Sequence, residues 1–304
     1  MKIKNEYKNI YGAALMFTGA ICFSAKAVMV KLAYNYGVEP VSLLALRMIF
    51  SLPLYIAIAL LSHKKQQGES KIKPKHWLIL VALGIGGYYL SSLFDFTGLK
   101  YITASLERLI LFVYPTLVVL FSAIFFRIPI GRKELLALGC TYFGIFIVFY
   151  KDNQLPPDIA LGATLIFLSA VTYAFFLMGS GQLIPKFGST TFTTYVMIIS
   201  CIAVIIHNLI FNKSSLFNLP VQVYVITGIM AVFSTVIPSF LISAGIANMG
   251  SGPASIVASV GPVSTIILSY IFLKEPFSLV QGVGTAFVLV GVGIVSSGKK
   301  TKAA

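Results

Sequence analysis

The chain is a succession of apolar runs, ten in all, each roughly twenty residues long and joined by short polar connections. A run of that length spans the hydrocarbon core of a bilayer as an α-helix, which satisfies every backbone polar group within one segment. The runs lie near residues 10–33, 40–62, 76–98, 102–125, 131–150, 157–180, 189–211, 220–243, 250–272 and 277–297. Several begin or end at Pro or Gly, as helix boundaries do. A transmembrane β-barrel is disfavoured, because its spans would be half as long and alternate in polarity. Only 11% of the 304 residues are charged and 58% are hydrophobic, against about 25% charged in a soluble domain. The predicted fold class is an all-α polytopic membrane protein with ten transmembrane helices.

The chain also repeats itself. A shift of 147 residues carries Gly98 onto Gly245, Pro115 onto Pro262, Phe125 onto Phe272, Pro129 onto Pro276 and Gly144 onto Gly291. A shift of 150 carries Gly12-Ala13 onto Gly162-Ala163 and Ala20 onto Ala170. The halves 1–150 and 151–304 therefore read as copies of five spans each. An odd number of spans per copy inverts the second copy in the membrane, and inverted repeats are a common construction of secondary transporters.

Lys and Arg set the orientation. Fifteen lie in the segments on the side of both termini, five on the opposite side, and Lys26, Arg47 and Arg108 within spans. That bias puts both termini in the cytoplasm of a multi-pass cell-membrane protein. The net charge of +14 has the same explanation. No basic stripe is interleaved with aromatics, so nucleic acid is not an expected partner. The first apolar run is too long for a cleaved signal core and reads as a retained span. Cys22, Cys140 and Cys201 all lie inside apolar runs, where packing is expected and a disulfide framework is not. Small residues recur on the ninth span, where Ser251, Ser255 and Ser259 are spaced by four. Such a face lets helices approach closely; Ser255 and Ser259 could also face a central cavity.

Five ionisable residues fall inside predicted spans: Lys26, Arg47, Asp95, Glu107 and Arg108. Each costs about 2.5–3.5 kcal/mol on insertion scales, so each should face protein or water. At 1.5 Å per residue they lie about 5–10 Å below one membrane surface, in a common layer. One arrangement is a salt-bridge network that fixes the first half. The other is an outer vestibule or gate that contacts solute. In the second half, Ala254 and Ser255 stand where Glu107 and Arg108 stand in the first. Three cations against two carboxylates leave a surplus positive charge, which suits an anionic or zwitterionic solute. Asp95 and Glu107 are the candidates to carry a coupling proton, a role that pairing with Lys or Arg counts against. His207 reads as an interfacial residue. Tyr88, Tyr89, Tyr114 and Tyr173 lie within spans and carry hydroxyls that want partners. Pro115 and Pro262 sit at equivalent mid-span positions and are either hinges or static kinks.

The ninth span and its exit, Gly252-Pro253-Ala254-Ser255 through Gly261-Pro262 to Phe272-Leu273-Lys274-Glu275-Pro276, resemble the EamA-like members of the drug/metabolite transporter superfamily. The resemblance covers about residues 10 to 297. The first half departs from it at Arg127-Ile128-Pro129, where the family has an acidic residue. The resemblance implies a central cavity between spans one, three, four, six, eight and nine, and export as the favoured direction. No G-x-x-x-x-G-K-[ST] loop is present, so nucleotide hydrolysis is not expected to drive the cycle. H-E-x-x-H and G-x-S-x-G are absent too, and with them the usual marks of a membrane enzyme. The expected partners are the lipid bilayer, a small-molecule solute and, in a coupled cycle, a proton. No cofactor is expected, and a monomer or homodimer fits the chain equally. Within transport the alternative is an uncoupled facilitator or exchanger of anionic metabolites; outside it, a membrane scaffold or receptor.

Overall fold

A computed structural model describes residues 2–63, 74–127, 130–151, 158–211, 216–249, 257–258, 260–276 and 278–296. Ser255 and Ser259 lie outside the described residues. The helices are α1 (Lys2–Tyr34), α2 (Pro40–His63), α3 (Pro74–Leu99), α4 (Ala104–Leu111), α5 (Tyr114–Phe126), α6 (Arg132–Lys151), α7 (Ile159–Phe187) and α8 (Ser189–Phe211). They continue with α9 (Val221–Ala231, Val232–Val236 and Ile237–Met249 end to end), α10 (Val260–Leu273) and α11 (Leu279–Ser296). Among the described residues there is no strand. Seven helical stretches there are long and apolar enough to cross a bilayer, with α4 and α5 together forming one. Three shorter apolar helices fall on the expected fifth, ninth and tenth spans. Leu60, Leu61, Leu209 and Phe211 are more than half exposed, as suits side chains bathed in lipid.

The packing joins the halves helix by helix, and the α3–α7, α1–α9 and α6–α11 joints run antiparallel. Along the α3–α7 seam, Leu83 meets Gly179, Gly87 meets Phe176, Ser91 bonds Ser169 and Gly98 meets Gly162. One sequence number rises as the other falls. Along α1–α9, Gly19 meets Leu241 and Ile242 while Met16 and Gly12 meet Gly245. A Cβ on Gly98 would stand 3.1 Å from the Gly162 carbonyl, and a Cβ on Gly245 would stand 3.1 Å from the Gly12 carbonyl. These two contacts are exchanged by the 147- and 150-residue shifts, so one interface is built twice. In the α6–α11 pair, Gly144 faces the Gly284 carbonyl and Gly291 faces Ala137 and Thr141. Ala137 and Gly284 are themselves 147 apart. Glycine at these positions lets backbones touch, which is how helices gain contact where lipid offers no hydrophobic drive.

The buried apolar core falls mainly into two clusters. One gathers side chains of α1, α2, α3, α8 and α9, including Leu43, Phe96 and Phe192. The other surrounds α4 and α5 where they meet α7, including Phe112 and Ile166.

Two interruptions position the site. The helix geometry widens to π over Leu83–Tyr89 and again over Val232–Val236. The two stretches overlap under the 147-residue shift. Such bulges insert a residue into the helical ladder and recur at functional sites. The fourth span also breaks, at Phe112–Val113, and restarts with Tyr114-Pro115. Pro115 is thus not the interior proline expected in mid-span. It lies in the first turn of α5, where its missing N–H has no intrahelical partner to lose. Pro262 is buried near the start of the described part of α10.

Candidate functional site

Four of the five membrane charges meet. Lys26 Nζ lies 2.5 Å from Asp95 Oδ2 and 3.5 Å from Glu107 Oε1, and Arg108 Nε lies 3.9 Å from Glu107 Oε2. All four side chains are at most 5% exposed. Two cationic side chains meet two carboxyl groups, a pairing that offsets part of the cost of burial at this depth. Arg108 also donates from Nε to Thr265 Oγ1 (3.0 Å) and from Nη2 to the Phe23 carbonyl (3.2 Å). Ser24 Oγ donates to the Gly261 carbonyl at 3.0 Å. The cluster therefore ties α1, α3 and α4 to α10, across the two halves. It sits near the end where α1 and α3 finish and α4 begins. Among the described residues, Glu107 Oε1 and Oε2 have no hydrogen-bond donor.

Arg47 departs from the expected common layer. Its side chain runs deeper, where Nε donates to Thr235 Oγ1 (2.7 Å) and Nη2 donates to the Tyr88 hydroxyl (3.3 Å). The guanidinium carbon lies 5.3 Å from the centre of the Phe96 ring. Among the described residues no carboxylate lies within ion-pairing distance of it, although it is 1% exposed. The surplus cation of the sequence is thus a specific one. Its two hydroxyl partners sit 147 residues apart, one from each π-helical stretch. A single guanidinium is held by the same position of both halves.

Beside it lies a cavity of about 520 Å3, counting its mouth. Tyr88 and Thr235 line it, with Phe23, Tyr173, Phe176 and Phe192 as its aromatic walls. Ser180, Thr193, Ser239 and Ser243 add hydroxyls, and no Asp or Glu lines it. It extends toward the end where α7 turns into α8 at Gly188 (φ 76°), opposite the charged cluster. Mostly apolar walls with a few placed hydroxyls are the make-up of small-molecule sites.

The remaining expected residues divide. Tyr173 joins the cavity wall, packs edge-on against Tyr114 at 5.1 Å and stacks on Phe176 at 5.8 Å. Tyr89 faces elsewhere: its hydroxyl bonds His207 Nδ1 at 2.6 Å, so His207 has a partner within the fold. Thr235, Phe23, Phe176 and Phe192 escaped the sequence reading. Thr235 had a signal, its position 147 residues after Tyr88. The aromatics had none that separates a wall from ordinary packing.

One further joint closes the end that holds the cluster. Glu275, in the connection before α11, accepts from Ala104 N (2.9 Å), Ser105 N (3.2 Å) and Ser105 Oγ (3.0 Å). Those are the free donors at the start of α4, where the helix dipole also favours a carboxylate. Lys31 Nζ donates to the Leu99 and Ile102 carbonyls beside it at 3.1 and 3.0 Å. Glu275 belongs to the second half and α4 to the first, so this joint too crosses between them.

The EamA-like transporter family matches twice, over residues 10–150 and again over 160–297. The chain belongs to the EamA-like transporter family. Its relatives include the uncharacterized transporter YcbK of Bacillus subtilis, 30% identical over 95% of both chains. YyaM of the same organism, also an uncharacterized transporter, is 26% identical over 96% of this chain and 93% of its own. An uncharacterized transporter of Methanothermobacter thermautotrophicus is 25% identical over 95% and 87%. A crystal structure of 17% identity superposes with a TM-score of 0.65 over 94% of this chain and 97% of its own, a likeness of fold. The protein is a multi-pass membrane protein of a transporter family, and the two family matches fall on the two sequence repeats.

Proposed function

We propose that this protein is a secondary transporter that moves a small organic solute across the cell membrane by alternating access, with export as the working direction. The two moving units are residues 1–150 and 151–304. The solute is a small organic metabolite of amino-acid size that carries an anionic group. With both termini in the cytoplasm, the orientation favoured by the Lys and Arg count, the cavity lies toward the cytoplasmic end and the charged cluster closes the outer end.

One observation carries this reading. The cavity wall and the closed end are built from equivalent positions. Phe176, Ser239 and Ile242 line the cavity. The shifts of 150 and 147 residues carry Lys26, Ser92 and Asp95 onto them. Two inverted copies that exchange conformations exchange these surroundings. The shut cluster then becomes the wall of an outward chamber while the present cavity shuts. Polar groups that are paired when closed can take up water when open, which limits the cost of parting them.

The test is paired labelling in a background without Cys22, Cys140 and Cys201. Ser239→Cys should react with an impermeant thiol reagent from the cytoplasmic side. Ser92→Cys should react from outside, and faster when solute is being carried. Solute counterflow in proteoliposomes completes the test. Labelling of both positions from one side only, or no flux of any organic solute, would sink alternating access.

A further inference from the structure

We infer that Arg47, acting through the Tyr88 hydroxyl, is the anchor for the solute, and that the solute is a monoanion with an apolar ring-sized body, not a zwitterion. The inference rests on the cavity being the transport site and goes further in naming its chemistry.

Three features of the site combine. First, Arg47 is a buried cation whose described partners are neutral, the hydroxyls of Thr235 and Tyr88. A buried cation gains most from an anion, and a carrier site that supplies the cation leaves the anion to the cargo. Second, the two hydroxyls are not equivalent as donors. Thr235 Oγ1 accepts from Arg47 and gives its proton to the Met230 carbonyl at 3.0 Å. Tyr88 accepts from Arg47 and has no acceptor of its own among the described residues. Its proton is available to a ligand at the cavity wall, on an oxygen already polarised by the guanidinium. Third, the cavity offers an ammonium no carboxylate. Asp95 pairs with Lys26, Glu107 lies between Lys26 and Arg108, and neither carboxylate lines the cavity. The aromatic and aliphatic walls fit an apolar body.

Purified full-length protein is titrated calorimetrically with three probes of one shape: 3-phenylpropionate, L-phenylalanine and 3-phenylpropan-1-ol. The expected order is 3-phenylpropionate tighter than both others by about tenfold or more, the factor one charge-assisted hydrogen bond supplies. Arg47→Gln should erase the preference, bringing all three within about threefold, and Tyr88→Phe should cost the carboxylate about tenfold while sparing the alcohol. Tyr88→Phe removes one oxygen at the cavity edge and keeps the ring against Phe176, so it serves if Arg47→Gln fails to fold. Equal affinities, tighter binding of phenylalanine, a preference that survives both substitutions, or no binding of any probe would each overturn the inference. Flux of 3-phenylpropionate into proteoliposomes separates the two levels. Selective binding without flux refutes the carrier and supports the anion site. Flux of all three probes at similar rates refutes the anion site and supports the carrier.

Discussion

Removing the Glu275 carboxylate should open the end of the protein that holds the charged cluster. The joint consists of three hydrogen bonds to one carboxylate, two of them from backbone N–H groups at the start of α4. Hydrogen bonds to a charged group contribute about 1.5–3 kcal/mol each when well buried. This joint is half-buried, so we take about 2–3 kcal/mol for all three together, including the helix-dipole contribution. The joint crosses between the halves, so under the proposed alternating access it forms only while this end is closed and its loss falls on the closed state alone. A shift of that size multiplies the open population by roughly 30 to 150. An open state at about 1% would rise to roughly a quarter to 60%. Glu275→Gln, which keeps one acceptor oxygen and loses the charge, should give a smaller shift of about 1 kcal/mol. Spin labels at Lys100 and Leu279, both exposed at this end, read the change as a pulsed-EPR distance distribution. The parent should give one dominant short distance, and Glu275→Ala should add a longer one of comparable weight. An unchanged distribution in a well-folded Glu275→Ala protein would refute the reasoning, since it would mean the three bonds do not hold the ends together.

Other substitutions probe other joints. Lys26→Met leaves Asp95 and Glu107 without their shared cation and should lower stability by about 3–5 kcal/mol; Lys26→Met combined with Asp95→Asn should recover part of it, both read as the thermal unfolding midpoint in detergent. Gly144→Ala would set a Cβ 2.5 Å from the Gly284 carbonyl. Neither backbone can yield there, so it should cost about 1–3 kcal/mol, visible as a lower midpoint, whereas Gly139→Ala, with open space around it, should not. Glu107→Gln tests proton coupling: flux that keeps its rate but loses its response to an imposed pH gradient assigns the proton to Glu107, and an unaltered response removes it from that role.

Much of this architecture is legible in the residues, because lipid imposes one rule on every span. Run length pointed to the seven long spans and the three shorter apolar helices, and glycines 147 residues apart pointed to the repeat. The membrane charges stood out because each is expensive. Their partners were less legible. An axial rise places a Cα, and it put Lys26, Asp95 and Glu107 at similar depth, where they do meet. The Arg47 side chain is long enough to leave its own layer, and it ends on Tyr88 and Thr235 instead. Thr235 carries no cost that would single it out, so only the repeat could have pointed to it. The π-helical stretches escaped for another reason. Gly84, Gly86 and Gly87 permit an inserted residue, but the close approach of Ile199 and Phe176 to that stretch is a tertiary fact. Pro115 looked like a kink because the break before it, at Phe112–Val113, has no Gly or Pro to announce it.

Arg127 and Lys274, equivalent under the repeat, both adopt a left-handed conformation with φ of 54°. The same corner therefore ends the α5 and α10 helices at opposite faces of the membrane. After the second corner comes Glu275; after the first comes Ile128. A perfectly duplicated carrier would rest in two forms of equal free energy related by a two-fold axis, idling half the time toward each side. One missing acid would bias that toggle: the end at Glu275 has a clasp, and the equivalent position at the other end is Ile128. In the proposed orientation, the resting molecule should therefore wait with its chamber toward the cytoplasm, already poised to load from within.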